Sequence, residues 1–239
     1  MVPHWFDPLQ RRGFAVVPGV FPASWLGSAQ LELDEVLKQQ ADGVSIRSSK
    51  GAVYAARNVL ELTRLPREAL AHSALRELLF ATLGDSCGLV RVLFFDKPPE
   101  RTWSLPWHRD MTIAVQQHRH SERYGKPTLK AGVPHVEAPR EILEQMLTLR
   151  IHLDPMTEDN GPLEVQPGSH ATDDPALPTE TVYLDAGDVF AMRPLLRHRS
   201  GASRPGTSLH RRVLHLEFAA GPLDEGFEWH DFLPVSTNG

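Results

Sequence analysis

Residues 105–111, LPWHRDM, place a histidine and an aspartate two positions apart, at His108 and Asp110. On a β-strand, residues i and i+2 project from the same face, so both side chains of this pair can reach one metal ion. Non-haem iron oxygenases bind their metal with two histidines and one carboxylate, which leaves coordination positions open for substrates. The pair therefore predicts a metal site of this kind, provided that a second histidine comes from another strand.

The same His-x-carboxylate spacing occurs at four other places, namely His120/Glu122, His135/Glu137, His152/Asp154 and His215/Glu217. With 12 histidines and 30 carboxylates in the chain, such pairs are expected by chance, so the spacing alone is a weak indication. The first two pairs lie in a proline- and glycine-rich stretch, and the last has one histidine beyond it. The 152/154 pair lies on a predicted strand, where a polar face that looks into a cavity or into water is favoured over a ligand role.

Two histidines are candidates for the third ligand. His170 follows a turn in the sequence PGSH, where a structural role is favoured. His198 lies in the apolar run LLRHRS, 88 residues after Asp110 (198 − 110 = 88), and that distance allows several strands in between. Periodicity favours His198 over His170 but does not by itself decide between them.

The composition limits the classes of protein. The chain has 239 residues, 41% hydrophobic and 23% charged, which is usual for a globular protein. A net charge of −5 gives no electrostatic reason to expect nucleic acid as a partner. The single cysteine, Cys87, excludes an intrachain disulfide and is expected to be a small buried residue. Apolar runs of the roughly 20 residues that cross a bilayer are absent, and the N-terminal segment lacks a signal-peptide pattern, so a cytoplasmic protein is expected.

The pattern of hydrophobic residues predicts helices at about 22–84 and strands at about 88–219. The predicted elements are a strand over 13–21, a helix from Pro22 that ends before Gly43, a helix over 67–84, and strands over 88–96, 145–154 and 211–219. Helices followed by many short strands predict one mainly β domain over residues 1–239. The expected architecture is a β-sandwich or jelly roll with helices packed outside.

Residues 115–140 are polar and rich in glycine and proline, and they predict a long loop. Its basic residues are Arg119, Arg123, Lys126 and Lys130. A solvated loop is the simpler interpretation. The alternative is a mobile cover that steers an anionic substrate toward the site.

The chain resembles the phytanoyl-CoA dioxygenase (PhyH-like) family of iron(II)- and 2-oxoglutarate-dependent oxygenases. The resemblance is carried, in order, by the motifs WHRD, NGPLEVQPGSH, AGDVFAM, LLRHRSGAS and RRVLHLEF. The early stretch RRGFAVVPGVFPASWLGSAQLELDEVL is also similar to the opening of that family, so the resemblance covers about residues 11–219. It implies a double-stranded β-helix, a cupin-like jelly-roll barrel with the iron inside.

The resemblance also implies residue roles. His108, Asp110 and His198 match the iron ligands of the family. Arg211, 13 residues after the distal histidine, matches the arginine that binds the remote carboxylate of 2-oxoglutarate, and Ser200 matches a serine that hydrogen-bonds the same group. A planar guanidinium suits that carboxylate because it can donate two parallel hydrogen bonds.

Strand alternation agrees with Arg211 rather than Arg212 as the carboxylate anchor. Arg212 shares its strand face with Leu214, Leu216 and Phe218, an apolar surface unsuited to an anion. Arg211 shares its face with Val213, His215 and Glu217.

The function implied by the resemblance is hydroxylation of a small molecule, with O₂ consumed and succinate and CO₂ released. The partners expected are O₂ and a small-molecule substrate, and an anion is the kind of substrate that the basic residues of 115–140 would suit. No nucleic acid, membrane or obligate protein partner is expected. Two alternatives remain open, a metal-free jelly-roll binding protein and a cupin-type metalloenzyme that does not use 2-oxoglutarate.

Overall fold

The structure, a computed structural model, describes residues 3–40, 43, 45–49, 52–99 and 101–236. The helices in these ranges are α1 (Phe6–Arg12), α2 (Ala23–Gln39), α3 (Val59–Leu62), α4 (Leu65–Ala69), α5 (Ser73–Leu83) and α6 (Arg140–Glu144). None of them combines the length and the apolar character that a membrane crossing requires. The first strands are β1 (Phe14–Val17), β2 (Ile46–Ser49), β3 (Ala52–Ala56), β4 (Gly88–Phe95), β5 (Leu105–His108), β6 (Thr112–Ala114), β7 (Gly125–Lys130) and β8 (Val133–Glu137). The later strands are β9 (Met146–His152), β10 (Leu163–Val165), β11 (Glu180–Val182), β12 (Val189–Met192), β13 (His198–Ser200), β14 (Val213–Ala219) and β15 (Leu233–Pro234).

Two antiparallel sheets form the barrel. The larger sheet has the strand order β1-β12-β9-β14-β4-β3-β2, and β15 pairs with β4. The smaller sheet has the order β11-β10-β13-β5, so strands far apart in the chain are neighbours in both sheets. The fold is a double-stranded β-helix of the cupin type with helices outside, and the predicted fold class is confirmed.

The two faces of the larger sheet differ in chemistry, although both are buried. Leu147, Leu149 and Ile151 of β9 belong to the hydrophobic core that includes side chains of α2 and α5. Arg150 and His152 alternate with them and are also buried. Because successive strand residues project to opposite faces, these polar side chains lie on the inner face of the barrel. Their burial shows that this polar strand face looks into the protein interior rather than into water.

Most predicted elements are present, but the helix predicted over 67–84 is wrong because it is two helices. The first, α4, ends at Ala69, and α5 begins at Ser73. Between them His72 has an extended backbone (φ −70°, ψ 121°), and its ring centroid lies 4.5 Å from that of Phe21. The ring contact with Phe21 accompanies the break, and such tertiary contacts are invisible to a hydrophobic pattern.

The prediction of a long loop over 115–140 is also wrong. The strands β7 and β8 form a hairpin in this segment, and β6 completes a three-stranded sheet. The hairpin turns at Ala131 and Gly132, which both have positive φ (52° and 80°). Two successive residues of this kind are the requirement of a type I′ turn. Ala-Gly is a weak sequence signal for such a turn. Because β7 is polar and largely exposed, it also lacks the alternation of apolar and polar residues from which a strand is predicted.

Candidate metal and cosubstrate site

Strands β5 and β13 pair so that His108 and His198 lie opposite each other, with ring centroids 4.2 Å apart. Asp110 follows β5, where its backbone N–H donates to the carbonyl of Pro194 at 2.9 Å. Nε2 of His108 lies 3.8 Å from Oδ1 of Asp110, and Nε2 of His198 lies 3.8 Å from Oδ2. Since the three groups lie within 4.8 Å of one another, one ion can contact all of them.

Hydrogen bonds fix which nitrogen of each imidazole faces this space. Nδ1 of His108 lies 2.8 Å from the carbonyl oxygen of Pro106, and Nδ1 of His198 lies 3.0 Å from that of Leu196. A ring nitrogen beside a carbonyl oxygen must donate, so each Nε2 keeps a lone pair for a metal. Oδ2 of Asp110 is buried and has no hydrogen-bond partner among the described residues. This donor set suits a divalent cation.

The charges of the three groups also favour a cation. Burial raises the pKa of Asp110, but the nearby imidazoles, His198 foremost, outweigh burial and hold it below its ordinary value. Burial lowers the pKa of His198 to about 4. The site thus combines a carboxylate with a neutral imidazole, the protonation states that metal ligation requires.

Three buried basic side chains line the interior beside these groups: Lys97, Arg150 and Arg211. No carboxylate in the described part of the chain lies within 4.0 Å of any of their charged nitrogens. The Nε atoms of both arginines lack hydrogen-bond partners there as well. Burial and the neighbouring Arg150 lower the pKa of Arg211 to about 9.

Lys97 connects these cations to the strand of the distal histidine. Its Nζ donates to Oγ of Ser200 at 3.1 Å and also to the carbonyl of Gly201. It lies 4.7 Å from the ring centroid of Trp103. Burial, followed by the charges of Arg211 and Arg150, lowers the pKa of Lys97 to about 6. An anion entering this space therefore meets Ser200, the guanidinium groups of Arg150 and Arg211, and a lysine that is largely neutral at pH 7 until a negative charge lies beside it.

The neighbouring arginines at 211 and 212 have different environments. Arg211 is 2% exposed, and its Nη1 donates to the carbonyl of Gly161. Arg212 is bound by Asp154, whose carboxylate accepts from its Nε and Nη2 at 2.8 Å each. Of these two adjacent arginines, Arg211 is thus the one whose buried guanidinium has no carboxylate partner among the described residues. It also follows that Asp154 is a partner of Arg212 and lies apart from the metal-binding group.

Lys97, Arg150 and His152 were not identified from the sequence as interior site residues. Both ring nitrogens of His152 are buried without a partner among the described residues. The alternation of β9 was the available signal for Arg150 and His152, since it predicts a polar face. Lys97 lies two residues after the end of the apolar strand β4, and no periodicity indicates which way it points.

The remaining His-x-carboxylate pairs have other partners or positions. His215 and Glu217 form a buried pair at 3.1 Å, and the same carboxylate accepts two hydrogen bonds from Arg91. Nδ1 of His135 lies 3.0 Å from the carbonyl of Val133, within the hairpin. His120 and Glu122 lie outside any strand of the structure. None of these three pairs belongs to the group formed by His108, Asp110 and His198.

His170 lies apart from the metal-binding group. Its Nε2 lies 3.1 Å from the carbonyl of Gln10. Elsewhere in the described chain, Glu61, His230 and Asp231 also come within 4.8 Å of one another, but Glu61 is exposed.

The basic residues of the 115–140 segment are mostly engaged on the surface. Arg123 lies within ion-pair distance of Asp224, and Lys126 lies 3.0 Å from a carboxylate oxygen of Glu137. Lys130 donates to Oγ1 of Thr112 at 2.9 Å. These contacts favour a structural role for the segment over one in steering an anion.

Comparisons with known proteins agree with the architecture. The family model described as phytanoyl-CoA dioxygenase (PhyH) matches residues 9–212. EctD from S. alaskensis, solved with bound Fe, has a TM-score of 0.68 at 18% identity, covering 91% of this chain and 77% of that one. AviO1 from Streptomyces viridochromogenes Tue57 has a TM-score of 0.65 at 22% identity, covering 91% and 95%.

A third solved structure is HygX from Streptomyces hygroscopicus, with nickel and 2-oxoglutarate bound. Its TM-score is 0.64 at 15% identity, and the match covers 92% of this chain and 87% of that one. Among curated proteins, no sequence matches the chain significantly. At these identities the structural matches establish the fold, and the family model carries the assignment of the chain.

Proposed function

Since the chain belongs to the phytanoyl-CoA dioxygenase family, we propose that His108, Asp110 and His198 are its iron ligands. Membership of this family makes the chain a 2-oxoglutarate-dependent non-haem iron oxygenase. Arg211 and Ser200 are proposed to bind the remote carboxylate of 2-oxoglutarate. Lys97 and Arg150, which were identified from the structure, are proposed to contact the same carboxylate.

The observation that carries the cosubstrate assignment is the group of buried cations. Leaving one unpaired charge in a protein interior costs several kcal/mol, and here Arg150 and Arg211 lack carboxylate partners among the described residues. Lys97 lies beside them and becomes a third cation when it is protonated. A dianion of small size compensates this cost. 2-Oxoglutarate carries two carboxylates, of which one reaches the metal and the other reaches the cations.

The side chains have separate tasks in this proposal. Iron(II) held by the three ligands would supply the redox chemistry by which O₂, 2-oxoglutarate and the substrate give succinate, CO₂ and the oxidised substrate, with one oxygen atom going to succinate and the other to the substrate. The carbonyls of Pro106 and Leu196 hold the two imidazoles in the tautomer that presents Nε2. Arg211 clasps the remote carboxylate with two hydrogen bonds, and this contact sets the orientation of the cosubstrate. The oxidation is proposed to be a hydroxylation of a small molecule.

Anaerobic titration of the purified protein with iron(II) and then 2-oxoglutarate tests the proposal. The chelate of 2-oxoglutarate to iron(II) gives a visible charge-transfer band, and we expect it to appear with saturation. Succinate, which lacks the keto group, is the matched control and should give no band. Iron binding without a band would indicate a metalloenzyme that does not use 2-oxoglutarate. Absence of iron binding would indicate a metal-free binding protein.

A further inference from the structure

A cavity of about 190 Å³ lies at the edge of the larger sheet, where β2, β3 and β4 meet. Leu93 and Phe95 form its inner wall, and they share the inward face of β4 with Arg91. The ring of Phe95 meets that of His215 edge-on at 5.8 Å. Trp103 also lines the cavity, and Nζ of Lys97 lies over the face of its ring. The cavity is therefore adjacent to the interior that holds the metal and cosubstrate site.

Arginines surround this cavity without compensating carboxylates. Arg47 and Arg57 line it, and neither forms an ion pair with any residue that the structure describes. Arg101 lies against the same wall, with its guanidinium 3.7 Å from the ring centroid of Tyr54. The lining residues that the structure describes include no aspartate or glutamate.

The nearest inward carboxylate is already occupied. Both oxygens of Glu217 accept hydrogen bonds from Arg91, at 2.9 and 2.6 Å, and one of them also lies 3.1 Å from His215. Burial, followed by the positive charges of Arg91 and Arg47, lowers the pKa of Arg57. An anion bound beside Arg57 would relieve this repulsion, whereas a cation would add to it.

The rest of the cavity wall is apolar. Tyr54, Leu93, Phe95 and Trp103 provide aromatic and aliphatic surface, and Ala55 and Ala56 leave room between them. Aromatic walls of this kind contact flat or aliphatic groups well. The cavity thus combines a cationic end with an apolar body.

We infer that the prime substrate is a small organic acid, with its anionic group bound by Arg57 and Arg47 and its apolar body against Phe95 and Trp103. The inference rests on the proposed function, since it assigns this cavity to the substrate of the iron site. A carboxylate and a phosphate share the required chemistry. The size of the cavity limits the apolar body to a single ring or a short chain.

Ligand-observed NMR on the Ni(II)-loaded protein with saturating 2-oxoglutarate tests the inference, because the cosubstrate then blocks Arg211. The probes are matched pairs of equal shape, 3-phenylpropanoate with 3-phenylpropanamide and hexanoate with hexanamide, and phenyl phosphate is added to separate the two head groups. We expect each carboxylate that binds to do so about tenfold or more tightly than the amide of the same shape, since a charged hydrogen bond is lost in the amide. Arg57→Met should reduce this preference to less than about twofold.

Two further variants control the experiment. Arg57→Lys keeps the charge and should retain part of the preference for the anion. Arg67 of α4 is exposed and lies outside the cavity lining, so Arg67→Met should behave like the unmodified protein. Equal binding of acids and amides, binding of neither, or a preference that survives Arg57→Met would overturn the inference. Titration of 2-oxoglutarate onto the same unmodified protein is read independently. If 2-oxoglutarate binds and the acids show no preference, the inference fails alone, and if 2-oxoglutarate does not bind, the proposed function itself fails.

Discussion

Replacement of Arg211 by methionine should weaken 2-oxoglutarate binding and at the same time stabilise the protein in the absence of 2-oxoglutarate. Arg211 is buried beside Arg150 without a carboxylate partner among the described residues. Methionine fills a similar volume and carries no charge, so the variant removes the anion contact and the cost of the buried charge together. The two consequences have opposite signs, and few other roles for this arginine would produce both.

The expected magnitudes follow from the contacts. A charged hydrogen bond contributes about 1.5–3 kcal/mol, and Arg211 can donate two of them to one carboxylate. Lys97 and Arg150 remain and compensate in part, so we expect a net loss of about 3 kcal/mol, which is about a 100-fold increase in Kd. Removal of the uncompensated charge should raise the free energy of unfolding without ligand by about 1–3 kcal/mol.

Arg212→Met is the matched control, since the two positions are adjacent in sequence. Arg212 donates to Asp154 from its side chain and its backbone N–H, all at 2.8 Å. Its loss leaves a carboxylate that is 13% exposed without its main partner. We therefore expect the free energy of unfolding to fall by about 1–3 kcal/mol and 2-oxoglutarate affinity to change less than about twofold.

Both quantities can be measured directly. Isothermal titration calorimetry of 2-oxoglutarate into the Ni(II)-loaded protein gives Kd, and urea unfolding of the metal-free protein gives the stability. Normal 2-oxoglutarate binding by Arg211→Met, together with its loss in Arg212→Met, would refute the assignment of the anchor. A fall in stability for Arg211→Met would show that its charge is compensated in the folded state.

Three other changes have clear expected outcomes. His198→Ala should lower Ni(II) affinity by more than ~100-fold, because changes to groups that only support a metal ligand already cost ~10–100-fold. Its circular dichroism should remain that of a folded protein, and unchanged affinity would contradict the ligand role. Because burial lowers the pKa of Lys97 to about 6 and a bound carboxylate raises it, 2-oxoglutarate binding above pH 6 should take up a proton. Calorimetry in two buffers of different ionisation enthalpy measures this uptake, and its persistence in Lys97→Met would show that another group is responsible. Asp224→Ala removes the partner of Arg123 and Tyr124, so limited proteolysis should cut within residues 115–140 faster than in the unmodified protein, and equal rates would show that these contacts do not secure the hairpin.

The sequence was informative where residues must alternate or recur at fixed spacing. The strand β9 was predicted from its apolar residues, and the same alternation gave the polar face that carries Arg150 and His152. Spacing predicted that His108 and Asp110 could share one ion, and a second strand was required for the third ligand. The choice of His198 over His170 depended mainly on the family resemblance, because both histidines follow the pair at distances that a barrel allows.

What could not be predicted depends on contacts between distant segments. Lys97 is fully buried, although lysine is almost never fully buried unless paired. Its hydrogen bond to Ser200, more than a hundred residues later, is a contact between distant segments that no local pattern indicates. The hairpin of β7 and β8 was missed for a related reason, since its outer strand is exposed and contributes little apolar pattern.

Stability and function use opposite faces of the same strands in this barrel. The outward residues of β14, such as Leu214 and Leu216, are buried in the core that includes side chains of the helices, and that core provides the hydrophobic free energy of the fold. The inward residues His215 and Glu217 are equally buried but polar, so they add a desolvation cost that is offset by polar contacts with each other and with Arg91. A sheet that is covered on its outer face can therefore carry an interior of unpaired cations. In the function proposed above, the cosubstrate compensates those cations, and its binding would then be coupled to the stability of the protein.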